Sequence, residues 1–279
     1  MDVSVFILIF IGIFGLIVGS FLNVLAWRLP EEEGVVAGRS RCRSCGKTLA
    51  WFELIPVLSY IMQRGRCRSC QSHVSIQYPL VELTCALLFV AAFRHITSYE
   101  LPVTSYELQV TSYELLVIGY YFFAIACLIV IFVTDLKHFL ILDAIAYPAI
   151  VISMLLILTN GLVDCHLPLI TCSVKNAGLS LIGAGFFLAL VLVSGGAWMG
   201  LGDVKLAAFM GLLLGPTKLF IALAIAFFLG SLVGMALIAL KQKTMKSEVP
   251  FGTFLVPATL VALFFGDSLL SYFYHFSLF

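Results

Sequence analysis

Two aspartates stand at the ends of apolar stretches, where an ionised carboxylate is costly. Asp135 ends one apolar run, and Asp203 follows Gly200 and Gly202 at the start of another. Such a carboxylate normally marks a functional cavity or has a local partner. Two carboxyl groups a few ångströms apart share one proton, because like charges at that distance do not both ionise easily. The ionised member activates water and the protonated member polarises a carbonyl, so the pair predicts general acid/base hydrolysis of a peptide bond.

The glycines before Asp203 have two interpretations. Gly200 and Gly202 allow the backbone to unwind and to approach an extended substrate, which must leave helical form before its peptide bond is attacked. A glycine turn with Asp203 as the N-cap of the next helix has the same sequence. The sequence by itself leaves both interpretations open.

Three more polar residues lie near the predicted pair along the chain. Asp143 either caps the next helix or supports the pair. Lys205 either stabilises negative charge on Asp203 or extends its ammonium group to the lipid headgroups. His138, one helical turn from Asp135, is either a proton partner or a solvated boundary residue. The supporting candidates are Gly200, Gly202, Asp143 and Lys205.

Four of the eight cysteines form two CxxC pairs in one polar segment. Cys42 and Cys45 make the first pair, Cys67 and Cys70 make the second, and 21 residues separate the two pairs. Four thiolates suit one tetrahedral zinc ion, whose binding supplies the folding energy that a small loop domain lacks. Two disulfides or redox pairs are the alternative, which a reducing compartment disfavours. A four-thiolate site leaves no open position for water, so we predict one structural zinc ion.

The elements that position these residues are apolar helices. Of the 279 residues, 62% are hydrophobic and 11% are charged, and the mean hydropathy of +1.10 lies outside the range of soluble domains. Seven runs reach the roughly 20 residues that span a bilayer, and Gly215-Pro216 ends a shorter eighth. The eight runs cover 5–27, 78–96, 115–134, 141–160, 177–196, 204–214, 217–240 and 251–275. We predict an all-α polytopic membrane protein with about eight transmembrane helices.

The basic residues predict which side of the membrane each loop occupies. Eight of the 16 Lys and Arg residues lie between Arg28 and Arg68, and positive charge accumulates on the cytoplasmic side. With this segment in the cytoplasm, thirteen basic residues are cytoplasmic: those eight with Lys137, Lys205, Lys241, Lys243 and Lys246. The three external ones are Arg94, Lys175 and Lys218. We therefore predict that the cysteine segment and the aspartate pair of this membrane protein face the cytoplasm.

Two features lie in predicted external loops. The stretch 97–115 contains TSYEL three times with a seven-residue period. The repeat is either a duplicated spacer or a short amphipathic turn on the membrane surface. Cys165 and Cys172 either form a disulfide in an oxidising compartment or remain free thiols. Neither feature identifies a function.

Several separated stretches match one known pattern in their order. They are Gly19-Ser-Phe-Leu-Asn23, Arg28-Leu-Pro30, the two CxxC pairs around Trp51-Phe-Glu-Leu-Ile-Pro56, Tyr78-Pro-Leu-Val-Glu82, Thr134-Asp135 through Asp143, Gly200-Leu-Gly-Asp203-Val-Lys-Leu206 and Pro250-Phe251-Gly252. In these stretches the chain resembles the type IV prepilin peptidase family of GxGD intramembrane aspartyl proteases. The resemblance covers nearly the whole chain, apart from the TSYEL stretch and the loop with Cys165 and Cys172. Leu142 departs from it, because the family usually has proline before the residue equivalent to Asp143.

The resemblance implies a bifunctional enzyme of the bacterial inner membrane in which Asp135 and Asp203 take the catalytic aspartate roles. Such enzymes cut the short basic leader from prepilins after a glycine and then methylate the new amino terminus, with S-adenosylmethionine as methyl donor. The expected partners are prepilin or pseudopilin substrates and membrane lipid, and no nucleic acid is expected. Glu82 is either a contact for the cationic methyl donor or an ordinary acid at a helix start. The sequence contains no glycine-rich strand-turn-helix motif of the kind that binds nucleotides.

The predicted organisation has three parts: a transmembrane helix at 1–27, a cytoplasmic zinc-knuckle-like domain at 28–77 and a transmembrane peptidase domain at 78–279.

Two other functions stay open. A preflagellin- or presenilin-like aspartyl protease without methylation shares the GxGD sequence but does not explain the cysteine pairs. A noncatalytic scaffold or transporter would use paired acids to carry protons.

Overall fold

A computed structural model describes residues 3–35, 38–100, 112–160, 178, 181–196, 199–241 and 250–276. Within these ranges the elements with defined bounds are eight α-helices and one 3₁₀ helix, and no β-strand occurs. The β pairing in the same ranges is limited to two isolated bridges, Arg41 with Thr48 and Arg66 with His73. The prediction of an all-α protein is confirmed.

The α-helices include the long apolar elements that the hydropathy predicts. In chain order they are Val3–Arg28 (α1), Leu58–Met62 (α2), Gln77–Glu100 (α3), Ser112–His138 (α4), Asp143–Asn160 (α5), Ile182–Ser194 (α6), Leu201–Ala239 (α7) and Gly252–Phe276 (α8); the 3₁₀ helix covers Trp51–Leu54. Five of them, α1, α3, α4, α7 and α8, are long and apolar enough to cross a membrane, and α5 and α6 are apolar but shorter. The chain is therefore a multi-pass membrane protein, as predicted.

Two of the predicted spans lie within α7, which has 39 residues. The helix is interrupted at Gly215, whose φ of 74° and ψ of 172° are not helical. This region of backbone space is essentially restricted to glycine, and Pro216 lacks the N–H group that would continue the hydrogen-bond pattern. The predicted boundary is thus a break inside α7, because the helix resumes directly after it.

The chain divides into two compact units, Met1–Val130 and Ile131–Phe279, and the division falls within α4. In the first unit α1 packs closely against α3. A Cβ atom at Gly15 would lie 2.6 Å from Ala86 Cα, and one at Gly19 would lie 2.7 Å from Glu82 Cα. Small residues that let two backbones approach are a common basis of helix packing in membranes. The α1–α3 pair thereby holds both ends of the polar segment that carries the four cysteines.

In the second unit α7 packs against α5, α6 and α8. Leu206 and Met210, in the first half of α7, are fully buried. The ring of Phe187 on α6 lies 6.1 Å from those of Phe227 on α7 and Phe251, measured between ring centroids. This packing holds the amino ends of α7 and α8 within one unit.

Some predictions lie beyond what the structure describes. The TSYEL stretch runs through residues 101–111, and Cys165 and Cys172 lie within 161–177; both ranges are outside the described residues. The three-part division at residues 27–28 and 77–78 stays a prediction.

Candidate active site and metal centre

Asp135 lies inside α4, which was predicted to end just before it but continues to His138. Its side chain is buried, as is that of Thr134. Asp135 Oδ2 accepts a hydrogen bond from the backbone N–H of Thr253 at 2.8 Å, and the carboxylate accepts a second from the backbone N–H of Gly252. The last turn of α4 and the first turn of α8 therefore meet at this carboxylate.

The amino end of α8 explains why a buried carboxylate is stable here. The first N–H groups of a helix have no partner within it, and the helix dipole adds positive potential at the same end. A carboxylate placed against these groups has its negative charge stabilised. The approach requires a glycine, since a Cβ atom at Gly252 would lie 2.7 Å from Asp135 Oδ2 and 3.0 Å from its Cγ.

Asp203 lies in the first turn of α7. Gly200, in extended conformation, is the N-cap residue of this helix, so Asp203 is not the N-cap. The Asp203 carboxylate accepts a hydrogen bond from the backbone N–H of Gly200. Asp203 is the third residue of the helix, and the third residue makes this bond in a capping box. It is also close enough to Asp135 for the two charges to interact directly. Two aspartates that are far apart in the sequence thus lie in one site.

Ile141 lies against both glycines that border the pair. A Cβ atom at Gly202 would lie 3.0 Å from Ile141 Cβ, and one at Gly252 would lie 3.4 Å from Ile141 Cδ1. The absence of a side chain at Gly202 therefore leaves room for Ile141, which forms an apolar side of the site. The sequence interpretation missed Ile141, Gly252 and Thr253 as site residues. The signal for Gly252 was the Pro250-Phe251-Gly252 motif, which Thr253 follows directly, but the sequence does not reveal that this motif lies beside Asp135.

The four predicted metal ligands also come together. The Sγ atoms of Cys42, Cys45, Cys67 and Cys70 all lie within 4.8 Å of one another, and those of Cys42 and Cys70 are 3.8 Å apart. A tetrahedral zinc site with Zn–S bonds of about 2.3 Å has its sulfur atoms about 3.8 Å apart. All four residues are free thiols. The cluster can therefore bind a metal ion.

Each CxxC pair is built on the same turn. Cys42 donates its backbone N–H to the carbonyl five residues ahead at 2.8 Å, and Cys67 does the same at 2.9 Å. The turn residues Gly46 and Gln71 have positive φ angles of 71° and 57°. The chain thus uses one local structure twice to bring two thiols each to the cluster.

The thiols of the cluster differ in acidity. Hydrogen bonding from the backbone of Cys45 lowers the pKa of the Cys42 thiol to about 6. At Cys45 the backbone of Lys47 favours the thiolate, but the neighbouring Cys42 sulfur and burial outweigh it and raise the pKa of Cys45 to about 11. Four adjacent thiolates need a cation in order to coexist, and a bound metal ion supplies one.

Known proteins are similar to this chain over almost its whole length. The family described as Bacterial Peptidase A24 N-terminal domain matches residues 13–96, and the Type IV leader peptidase family matches residues 122–235. A prepilin leader peptidase/N-methyltransferase of Bacillus subtilis (strain 168) is 32% identical over 271 residues, covering 94% of this chain and 95% of that protein. The chain belongs to the type IV leader peptidase family.

Further relatives carry the same description. Those of Pseudomonas putida and Legionella pneumophila are 32% and 29% identical and cover 92% and 96% of this chain. The matches extend over 90% and 94% of those two proteins. No solved structure gives a significant match. The predicted family is confirmed, and it is a family of enzymes that are named as peptidases and N-methyltransferases.

Two of the supporting candidates pair with each other in this chain. Lys205 Nζ forms an ion pair with Asp143 Oδ1, and the same ammonium group lies 4.9 Å from the centre of the Tyr147 ring. The Lys205 side chain is 23% exposed and that of Asp143 is 60% exposed. The pair joins the amino end of α5 to that of α7, two residues beyond Asp203.

Glu82, the candidate contact for a methyl donor, is buried on α3. Its Oε2 accepts a hydrogen bond from the backbone N–H of Val57 at 2.7 Å. The same carboxylate accepts a second hydrogen bond from the Ser20 hydroxyl. Nearby on α3, Gln77 Oε1 is buried and has no hydrogen-bond partner among the described residues, while Gln77 Nε2 lies 3.4 Å from Asn23 Oδ1. The first unit thus contains a buried polar cluster of its own.

Proposed function

We propose that this chain removes the leader from type IV prepilins or pseudopilins, with Asp135 and Asp203 as its catalytic pair. The observation that carries the proposal is the approach of two carboxylates, one from α4 and one from α7, to within direct electrostatic range. The relatives that cover almost the whole chain are named prepilin leader peptidases. Aspartyl hydrolysis needs such a pair and one water molecule.

The surroundings of the two carboxylates assign them different roles. Asp135 accepts two N–H groups from the first turn of α8, whereas Asp203 accepts one, from Gly200. Hydrogen bonds to an ionised carboxylate stabilise it. Asp135 is therefore the general base in this proposal and Asp203 the general acid.

The reaction then proceeds without a covalent enzyme intermediate. Asp135 takes a proton from water as the water oxygen bonds to the scissile carbonyl carbon, and Asp203 gives its proton to the carbonyl oxygen. When the C–N bond breaks, the leaving amine takes the proton from Asp135, and the hydroxyl of the intermediate returns a proton to Asp203. Both aspartates end in their starting states.

The substrate in this proposal has a short basic leader and an apolar helix. The leader stays on the cytoplasmic side of the bacterial inner membrane, where thirteen basic residues of this chain are predicted against three outside. The apolar helix lies in the bilayer. The scissile bond then falls at the boundary, at the level of the helix ends that carry Asp135 and Asp203.

Zinc is the ion that we assign to the cysteine cluster, in a structural role. The donor set fits, because four sulfur atoms within 4.8 Å of one another match tetrahedral thiolate coordination. The ion would hold the two CxxC turns together. Hydrolysis takes place at the aspartates and does not involve it.

The second activity in this proposal is methylation of the new amino terminus, which the names of the relatives support. S-adenosylmethionine supplies the methyl group from a cationic sulfonium. The buried acceptors of the first unit, the Glu82 carboxylate and the unpartnered Gln77 Oε1, suit such a cation. We expect Glu82→Gln to lose methylation and to retain cleavage, since Glu82 belongs to the first unit and both aspartates belong to the second.

Cleavage of a purified prepilin by Asp135→Asn and Asp203→Asn tests the peptidase assignment. Asp267→Asn is the matched control, because it removes a carboxylate that pairs with Lys218 at 2.7 Å and is not one of the catalytic pair. Mass spectrometry after addition of S-adenosylmethionine reads both the cut and the methyl group. We expect the wild type and the control to cut, and both catalytic variants to fold but leave the leader attached. Cleavage by both variants would contradict the proposal.

A further inference from the structure

Part of the polar segment between α1 and α3 turns apolar side chains outward. This part is residues 51–62, here called the 51–62 segment, and it contains the 3₁₀ helix and α2. Glu53 is only 7% exposed; it pairs with Lys47 at 3.8 Å and accepts the backbone N–H of Ala50 at 2.9 Å. Six large apolar side chains are instead 40–78% exposed: Trp51, Phe52, Leu54, Leu58, Ile61 and Met62. A surface in water has the opposite arrangement.

A hydrogen bond to α3 indicates the depth at which this segment lies. Val57, inside the segment, donates its backbone N–H to Glu82 at 2.7 Å. Glu82 is the sixth residue of α3, which begins at Gln77 and is apolar enough to cross the membrane. At 1.5 Å per residue, Glu82 lies about 7.5 Å from the start of the helix. Amphipathic segments bury their apolar side about 5–10 Å into the boundary between headgroups and acyl chains.

The charges that follow the segment complement an anionic surface. Arg64, Arg66 and Arg68 are all exposed, and Glu53 is the single acidic residue between positions 51 and 68. The Arg68 guanidinium lies 5.2 Å from the centre of the Phe52 ring, so positive charge borders the apolar surface. Aromatic rings at headgroup level with basic residues beside them are characteristic of the membrane interface.

We propose that the 51–62 segment lies in the membrane interface, with its apolar side chains among the acyl chains and the three arginines at the phosphates of anionic lipids. The segment is tethered at both ends, because α1 ends at Arg28 and α3 begins at Gln77. Lipid is therefore the occupant that is always within reach. The metal cluster is then held at the membrane surface, and this placement is independent of whether the aspartates cleave prepilin.

A protein with a single tryptophan tests the depth of the segment. The chain has three tryptophans, and Trp27→Phe with Trp198→Phe leaves Trp51 alone. The full-length protein is reconstituted as one molecule per nanodisc in lipid that carries bromine near the carbonyl end of its acyl chains. We expect bromine to quench about half of the Trp51 emission relative to unbrominated lipid and aqueous iodide to quench it only weakly. A ring at this depth touches the acyl chains and is shielded from water.

The background for this measurement is the same protein with Trp51→Phe added, and circular dichroism checks that each variant is folded. Full emission in brominated lipid together with strong iodide quenching would overturn the proposal. Emission that changes only with two molecules per disc would assign the surface to a second copy of the chain. Emission that changes only when prepilin is added would assign it to the substrate. Either result would also overturn the lipid contact.

The headgroup contact is tested in mixed bilayers with bromine on one lipid at a time. Brominated phosphatidylglycerol is expected to quench Trp51 more than brominated phosphatidylcholine in a bilayer of the same composition. Replacing the three arginines, as Arg64→Gln, Arg66→Gln and Arg68→Gln, is expected to remove that difference, because the preference depends on their charge. Equal quenching by the two lipids in the unaltered segment would overturn the contact with anionic headgroups.

Discussion

Gly252 sets how closely the Asp135 carboxylate approaches the amino end of α8. The N–H groups of Gly252 and Thr253 reach this carboxylate because no side chain intervenes. An added Cβ atom would lie 2.7 Å from Asp135 Oδ2, a distance that real Cβ atoms essentially never show. Either the carboxylate or the helix end would have to move, and the pairing of Asp135 with Asp203 would change with it.

We expect Gly252→Ala to lower kcat for leader cleavage by about 100-fold with little change in KM, since a displacement of roughly 1 Å at a catalytic group has an effect of that size. Gly230→Ala is the control, because its Cβ atom would lie 3.6 Å from Phe254, an ordinary contact. Steady-state kinetics on a purified prepilin measures both variants. Equal kcat values for the two would show that the approach of α8 to Asp135 does not matter for cleavage.

We propose that the ion pair between Asp143 and Lys205 positions the amino end of α7 and takes no part in the reaction itself. Both side chains are partly exposed, and such pairs contribute about 0.2–1 kcal/mol. We expect Asp143→Asn and Lys205→Gln each to lower cleavage by about two- to fivefold, less so at high salt. The double variant is expected to resemble the single ones, because they share one interaction. Additive losses would mean that the two residues act separately.

At the scale of the helices, the break at Gly215 lets α7 form two consecutive apolar pieces. Its φ of 74° and ψ of 172° lie where residues with a Cβ atom are strained. We expect Gly215→Ala to lower the free energy of unfolding by about 1–3 kcal/mol. Reversible unfolding in mixed micelles measures the change.

Gly234→Ala is the matched control for this prediction, because it lies in the same helix and a Cβ atom there would have no neighbour within 4 Å. We expect that variant to be neutral or more stable by about 0.5–1 kcal/mol, since alanine favours a helix over glycine. A Gly215→Ala protein that unfolds like the Gly234→Ala protein would show that the break does not need glycine.

At the scale of the whole molecule, a metal ion is expected to stabilise the polar segment without contributing to the aspartate site. We expect Cys67→Ser to reduce bound zinc from one ion per chain to almost none, because three thiolates and a hydroxyl hold zinc far less tightly. Protease sensitivity within residues 38–76 is expected to rise at the same time. Elemental analysis and mass spectrometry of the fragments measure the two effects.

Cys85→Ser is the control for the metal prediction. Cys85 is a buried free thiol on α3 and is not part of the cluster. We expect it to retain the metal ion and the protease resistance of the wild type. Loss of zinc in both variants would show that the metal does not depend on the cysteine cluster.

The sequence by itself determined the properties that depend on neighbouring residues. Hydropathy over about 20 residues identified the membrane helices, and the CxxC spacing predicted the four-cysteine cluster, because each pair lies in one turn. Gly215-Pro216 marked the break in α7 for the same local reason. The motifs around Asp135 and Asp203 identified the family, although nothing in them gives the distance between the two carboxylates.

Only the tertiary structure decided which distant groups meet. The hydrogen bond from Thr253 to Asp135 joins residues 118 positions apart, and it depends on how α4 and α8 pack. The pairing of Lys205 with Asp143, which are 62 positions apart, has the same origin. Polar groups buried in a membrane protein must find partners, and helix packing decides which partners are within reach.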